Sequence, residues 1–444
     1  MESKIKDGNI EAIIYIDKTY IDIGTMKQIR EILKHPAMEN ANVRIMPDCC
    51  RSHGCCVGLT ANLTSKIVPK FVGGDIGCGI VTYPMGNILN DHTIENIEKT
   101  IKELTPLGSG KSGMFDHPVI TNDDLLLCLQ NSFDIACSFV QKYNEKFNVN
   151  IDVHIPKYDL QWYYDLCSKI QTDPNYDLSC VGTLGSGNHY IEVNIDRNNC
   201  CYLTVHCGSR NIGSKICNYH QNKIDTNNKI DYDDLKDHIK QIDRKTRDSK
   251  MKKKYIDDIK QNMKDNLHTE YLELVEAYEY YFDMIFAQAY AQMNRHTIVK
   301  RILNKLNISY DSTKNIESIH NYIDFQNLIL RKGAISAYLN ELCIISLNMR
   351  DGIMICKGKG NVDWNYSSAH GSGRVISREM ARQKFNMTEY KKSMEGIYST
   401  SVCDETLDEC PMAYKNSDLI KSILHPTVDI IETLKPIINV KGFD

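Results

Sequence analysis

The stretch VGTLGSGNHYIEVNIDRNNCCYLTVHCGSR, residues 181–210, sets two short runs of Val, Ile, Leu and Tyr against glycine-rich turns. β-Branched and aromatic residues suit the pleated surface of a strand, and glycine supplies the backbone freedom of a tight turn. The segment reads as strand and loop, with polar side chains where the runs meet the turns. Working outward, residues 1–85 have the same texture in EAIIYI and KFVGGDIGCGIVTY, again strands and loops between Gly- and Pro-bearing turns. Helix is expected over 120–145 and 155–170.

Between 232 and 305 the pattern changes. Leu267, Tyr271, Leu274, Tyr278, Tyr281, Ile285 and Ala289 recur at spacings of three and four, one face of a long amphipathic helix whose stripe serves core packing. The charged run before it, DRKTRDSKMKKKYIDDIKQNMK, is also compatible with helix, so 225–305 is expected to be a helical hairpin inserted into a sheet-rich core. Past 315, LCIISL and GIMICKG return to strand and loop, followed by a helix around 377–385 and a C-terminal element ending KPIINVKGFD. No repeat or low-complexity linker divides the chain, so 1–444 reads as one composite α+β domain.

Composition narrows the function. Hydrophobic residues make up 42% and charged residues 25% of the 444, the balance of a globular protein with a sizeable core. Fifty-three Lys and Arg face 57 Asp and Glu, so net charge carries no signature of nucleic-acid binding and RNA contact would rest on a local patch. The opening MESKIKDGNIEAIIYID lacks the apolar segment of a signal peptide or membrane span, and a cytoplasmic location is expected. In that compartment the 17 cysteines are expected to be reduced thiols, a few recruited as metal ligands.

Several clusters could carry chemistry. In VGGDIGCGI a permissive turn holds Asp75 three residues before Cys78, a half-site for a transition metal; the same residues also describe a buried cysteine at a tight turn. In GTLGSGNHYIEV, Asn188, His189 and Glu192 follow a loop whose backbone N–H groups can form an anion nest. In VHCGSRNIG, His206 ends a β run, and Ser209 and Arg210 offer a hydroxyl and a guanidinium fork suited to phosphate. SSAHGSGRVISR is the sharpest: His370 stands before a Gly-Ser-Gly turn, with Arg374 and Arg378 spaced to share one helical face. A neutral imidazole is a good nucleophile toward activated phosphorus, and flanking arginines would stabilise the developing charge. His320, in SIHNYIDF, adds one more imidazole. CCRSHGCC (Cys49, Cys50, His53, Cys55, Cys56) lacks the second ligand pair of a structural zinc site, and the Lys250–Lys254 run reads as a solvated helix face.

Together and in order, MPD (46–48), GGDIGCG (73–79), GxGNHxIE (185–192), HxGSR (206–210), HN (320–321), RKGA (331–334), HGxGR (370–374), SR (377–378), AYK (413–415) and VKG (440–442) resemble the RtcB-type tRNA-splicing ligases. The resemblance runs from about residue 45 to the C-terminus and is nearest to the branch carrying NMRDG (348–352) and GKGNxDWNYS (358–367). It implies mixed sheets around a central metal cleft. Asp75, Cys78, His189, His206 and His320 match ligands of two Mn2+ ions, with the Cys78 sulfur bridging them. His370 matches the histidine that takes GMP from GTP as a phosphoramidate. Asn188, Glu192, Tyr414 and Lys441 match positions around the guanylate, with Ser372 in the His370 loop, and Arg210 and Arg378 match positions near RNA phosphates.

The implied reaction joins RNA ends bearing a 2',3'-cyclic phosphate or 3'-phosphate to a 5'-hydroxyl, with an archease-like activator as a further partner to consider. A metal-dependent RNA-end phosphatase or cyclic phosphodiesterase is the competing reading, since the same metals can activate water, but it leaves His370 and Lys441 without a use. Four positions depart from the family: Cys207 stands for the usual serine, Ser372 and Cys410 for alanines, and Arg350 lies where many relatives carry a Gly/Ser-rich phosphate loop. A Cys and three His also suit zinc better than manganese by ligand softness.

Overall fold

Period-two alternation divides the strand Cys201–Cys207 into two faces: Leu203, Val205 and Cys207 on one, Tyr202, Thr204 and His206 on the other. The first set packs with Val81, Tyr83, Ile191 and Val193 against Ile298, Val299 and Ile302 of the helix Leu274–Lys305. The second set joins a polar face through the register pairs Tyr190↔His206, Glu192↔Thr204, Asn439↔Glu192 and Lys441↔Tyr190. One face of this sheet is therefore core, and the other collects side chains for chemistry. The computed structural model that shows this describes residues 2–7, 10–108, 110–227 and 270–443.

The sheet has seven antiparallel strands in the order Ile316–Ile319, Gly79–Gly86, Cys201–Cys207, Tyr190–Ile195, Val428–Lys441, Gly352–Gly358, Leu342–Asn348. It curls until its outer strands meet, where the Ile344 N–H donates to Ser318 Oγ at 2.9 Å. A second, six-stranded sheet runs Ser3–Asp7, Ile10–Ile14, Val43–Ile45, Leu59–Asn62, Ile329–Lys332, Asn321–Asp324, with one parallel pair, Ile10–Ile14 beside Val43–Ile45. The chain steps from one sheet to the other at His320, which separates Ile316–Ile319 from Asn321–Asp324.

The helix Ile23–Lys34 makes the parallel crossover and corrects the reading of this region as strands and loops only. Thr25, Ile29, Ile32 and Leu33 form its buried stripe, and Asp22 caps it by accepting from the Thr25 N–H. The stripe is short and lies among isoleucine-rich strands, which hides its period. The expected helices elsewhere are present as Asn122–Phe147, opened by a Thr121–Asp124 capping box, Leu160–Lys169 and Arg378–Lys384. The helix Leu274–Lys305 buries Tyr278, Tyr281, Ile285 and Ala289 as the stripe requires, while Leu274 is exposed at its start. Leu267, the charged run and the lysine cluster at 250–254 lie outside the described residues, and with them the other arm of the expected hairpin. Strands and helices are mixed through the chain, an α+β fold. No helix among the described residues is long and apolar enough to cross a membrane.

Candidate metal centre and nucleophile

Five side chains remote in sequence converge where the two sheets meet. Cys78 ends the turn before the strand Gly79–Gly86, and His189 immediately precedes Tyr190–Ile195. His206 sits next to the end of its strand, paired with Ile80 and Tyr190, and His320 occupies the crossover. Two glycines let the backbone come this close. A Cβ on Gly77 (φ +72°) would lie 2.8 Å from Ala291 Cβ on the long helix, and one on Gly208 would lie 2.0 Å from Asp75 Oδ1.

The Cys78 sulfur lies 3.5 Å from His189 Nε2 and 3.3 Å from His206 Nε2. His206 Nε2 is 3.2 Å from His320 Nε2, and His189 Nε2 is 2.9 Å from Asp75 Oδ2. Their potential ligand atoms form two groups, Cys78–His206–His320 and Asp75–Cys78–His189, each within 4.8 Å and both using the one sulfur. The tautomers are set from behind. His189 Nδ1–H donates to the Leu184 carbonyl (2.9 Å) and His206 Nδ1–H to that of Asn188 (3.1 Å), so each ring turns its Nε2 inward. Thiolate, imidazole and carboxylate are transition-metal donors, and a cation between facing imidazole nitrogens removes their mutual repulsion. The residues present fit a pair of metal ions.

The electrostatics agree. Burial, with Asp75 adding to it, pushes the Cys78 thiol up to about 12, so a bound cation is what would hold the thiolate. Burial also opposes ionisation of Asp75, but His189 beside it outweighs that and holds the carboxyl well below its usual range. For His189 burial is likewise overridden, by Cys207, Asp75 and Cys78, and its pKa rises, so without a cation this ring also carries an Nε2 proton facing Asp75, which a bound metal would displace. His206 and His320 are pushed far down, first by burial and then by neighbouring rings, and stay neutral as ligands require.

His370 lies alongside, its ring centroid 4.7 Å from that of His320. Its Nδ1–H donates to Asp48 Oδ2 at 2.6 Å, and the same oxygen accepts the N–H groups of His370 (3.1 Å) and Gly371 (3.2 Å). Nε2 is thereby left with the lone pair a nucleophile needs. Asp48 is fully buried, and Lys415 Nζ braces it by donating to the carbonyls on either side, Pro47 (3.2 Å) and Cys49 (2.5 Å). Asp48 and Lys415 lie in the MPD and AYK motifs, but nothing in chain spacing links 48 or 415 to 370, so the sequence assigns them no role.

Glu409 is the second omission. It accepts from Lys441 Nζ (2.9 Å) and the Tyr414 hydroxyl (2.8 Å) and pairs with Arg374 (3.1 Å) and Arg378 (2.6 Å). Burial works against its charge, but Lys441, Arg378 and Arg374 overcome it and hold the carboxyl well below the usual range. Arg378 and Arg382 also pair with Asp408, each at 2.6 Å. Four cations thus surround two carboxylates, an excess of positive charge suited to phosphate. Arg374 and Arg378 do not share a helical face as expected, since the helix begins at Arg378; they meet on Glu409 instead. The acidic pair just before AYK was the available signal.

The remaining predicted residues differ in how open they are. Asn188 is exposed at the mouth of the glycine loop. Ser372 is 1% exposed and its hydroxyl finds no partner among the described residues. Glu192 is buried, accepting from Asn194 (2.9 Å) and Asn439 (2.7 Å). Arg210 donates to Thr183 Oγ1 and to the carbonyls of Gly108 and Gly113, so its fork braces a loop in this structure. All 17 cysteines are free, and no three donors converge in the CCRSHGCC segment among the described residues.

An α+β protein with two metal-capable donor groups beside a carboxylate-held histidine is the class that fold and site define. More narrowly, the chain belongs to the RtcB family of tRNA-splicing ligases, which it matches over residues 28–442. It is 25% identical over 437 residues to the RNA-splicing ligase RtcB of Escherichia coli K12, covering 90% of each chain. It is 23% identical over 488 residues to the tRNA-splicing ligase RtcB of Methanococcus maripaludis, covering 97% of this chain and 94% of that one. The Aeropyrum pernix tRNA-splicing ligase RtcB is 25% identical over 507 residues, with 98% and 95% covered.

Proposed function

We propose that this chain, acting as one RtcB-like domain in the cytoplasm, is a GTP- and Mn2+-dependent RNA ligase. It joins RNA 2',3'-cyclic phosphate or 3'-phosphate ends to 5'-hydroxyl ends, in RNA repair or tRNA splicing. The observation that carries the proposal is the placement of His370, held by Asp48 at 2.6 Å and with its ring 4.7 Å from the His320 ring of the donor groups. Neither RNA end bears a good leaving group, so one must be made, and a covalent histidine divides that task into two easier displacements.

His370 Nε2 attacks the α-phosphorus of GTP, the bond to the β-phosphate oxygen breaks, and pyrophosphate departs. Asp48 keeps the Nδ1 proton on the ring and stabilises the positive charge that develops. A cyclic phosphate is first opened by water, with cleavage of the bond to the 2'-oxygen. The RNA 3'-phosphate then takes the GMP from His370, and the 5'-hydroxyl oxygen displaces GMP at the 3'-phosphorus while its proton passes to solvent. Divalent cations in the two donor groups would neutralise the crowded phosphates during these steps. Lys441, Arg374 and Arg378 place positive charge beside the nucleotide, and the Ser372 hydroxyl is free to donate to it. Manganese is assigned from the family, against a donor set whose softness favours zinc.

The test is incubation with α-labelled GTP and Mn2+, followed by ligation of a cyclic-phosphate RNA to a 5'-hydroxyl RNA with and without an archease-like activator. An acid-labile, base-stable protein adduct is expected, absent in His370→Ala, together with a longer RNA. A label that survives His370→Ala overturns the proposal. Phosphate release without a longer product moves the assignment to an RNA-end phosphatase or cyclic phosphodiesterase.

A further inference from the structure

Two consecutive residues of the long helix, Asn294 and Arg295, are fully buried and take no part in the chemistry above. Arg295 Nη1 donates to the carbonyls of Gly77 (2.6 Å) and Cys207 (2.9 Å), and its Nε to Glu317 Oε1 (2.7 Å). Gly77 precedes Cys78, Cys207 follows His206, and Glu317 lies in the strand Ile316–Ile319 that delivers His320. One guanidinium therefore grips the three segments carrying Cys78, His206 and His320, the members of a single donor group.

Asn294 shares the Cys207 segment with Arg295 and adds the Gly182–Thr183 turn. Its Oδ1 accepts from the N–H groups of Gly182 (2.7 Å) and Thr183 (3.2 Å), and its Nδ2 lies within donating distance of the carbonyls of Thr183 (3.2 Å) and Gly208 (3.1 Å) and of Cys207 Sγ (3.1 Å). Next to Thr183 is Leu184, whose carbonyl orients His189. Gly208 is where an added Cβ would lie 2.0 Å from Asp75 Oδ1. Asn294 thus bears on Asp75 and His189, the residues that distinguish the second group.

Stability alone does not account for this pair. One turn further on, Ile298, Val299 and Ile302 make the helix–sheet contact with apolar side chains. A buried guanidinium costs several kcal/mol relative to a well-packed hydrophobe unless every donor is satisfied. Arg295 Nη2 has no hydrogen-bond partner among the described residues.

We propose that Arg295 and Asn294 are positioning residues with divided duties: Arg295 sets the geometry of the Cys78–His206–His320 group, and Asn294 that of the Asp75–Cys78–His189 group. The assignment rests on the two-ion reading given under the proposed function. It is tested on the full chain by cobalt(II) titration, following the thiolate-to-cobalt absorption band and the calorimetric binding steps. His320→Ala and His189→Ala identify which step belongs to which group. Arg295→Lys, which keeps the charge and loses the fork, is expected to weaken the His320-dependent step about 10- to 100-fold and the other by a clearly smaller factor, since Cys78 belongs to both groups. Asn294→Ala is expected to do the reverse.

Should Arg295→Lys fail to fold, Glu317→Gln releases the Arg295 Nε and is expected to weaken the same step. Equal weakening of both steps, or a lower melting temperature with both steps and the absorption band unchanged, overturns the division. Wild-type protein taking up fewer than two ions overturns the two-ion reading itself, a result distinct from the other two.

Discussion

Two histidine–aspartate pairs in this molecule have the same hydrogen-bond length and opposite surroundings. His370 Nδ1 and Asp48 Oδ2 are 2.6 Å apart, as are His220 Nε2 and Asp283 Oδ2. The His370 side chain is 19% exposed and its ring faces His320, whereas His220 is wholly buried and shares Asp283 with Lys169. The carboxylate in each case orients a ring. Only in the first can a phosphorus atom approach the remaining nitrogen. A short bond to an acid prepares an imidazole, and access together with neighbouring cations decides what it is prepared for.

The comparison breaks most sharply at Asp48. Asp48→Asn removes the acceptor that fixes the ring tautomer, and guanylylation is expected to slow about 10²- to 10⁴-fold with metal uptake unchanged. Quench-flow labelling measures this, and a loss under tenfold would mean that something else orients His370. Asp283→Asn is the counterpart. It leaves a half-buried lysine and a buried histidine without their acid, so urea denaturation should show about 1–3 kcal/mol less stability while labelling stays within about twofold. A labelling defect there would erase the distinction between the pairs.

Glu192 sharpens the comparison from another side, because amides are its hydrogen-bond partners. Burial raises its pKa from 4.5 to about 7, against the pull of Asn194, Asn439 and Lys441. The folded state therefore holds this proton longer than the unfolded chain does. Its contribution to stability is complete below pH ~4.5 and is lost as pH rises through ~7, up to ~3 kcal/mol at ~1.4 kcal/mol per pKa unit. Glu192→Gln should flatten the melting-temperature profile between those limits, and an unchanged slope would place the titrating group elsewhere.

The convergence of the candidate site residues is legible in the sequence for a physical reason. The metal-capable side chains and the carboxylate-held histidine sit on glycine-bounded turns and strand ends, where residue type and backbone need leave short ordered signatures around Asp75, Cys78, His189, His206, His320 and His370. The supporting residues leave none. Asp48, Lys415, Glu409, Asn294 and Arg295 act largely through bonds to residues far away in sequence, such as Arg295 to the Gly77 carbonyl 218 residues away. Arg374 and Arg378 show the converse failure, since a spacing of four suggested a shared helix face and the structure joins them through a common acid instead. Helix Ile23–Lys34 has a helical stripe at Thr25, Ile29, Ile32 and Leu33, but its isoleucines match the strands on either side, and residue type outweighed period.

The single sulfur common to both donor groups makes the centre an interlocked device. Capping or oxidising that one atom would remove a donor from both groups at a stroke, so occupancy of either would depend on the redox state of the shared sulfur. A cell that keeps this protein working must therefore guard one thiol, Cys78, whose exposure of 1% already supplies the first layer of protection.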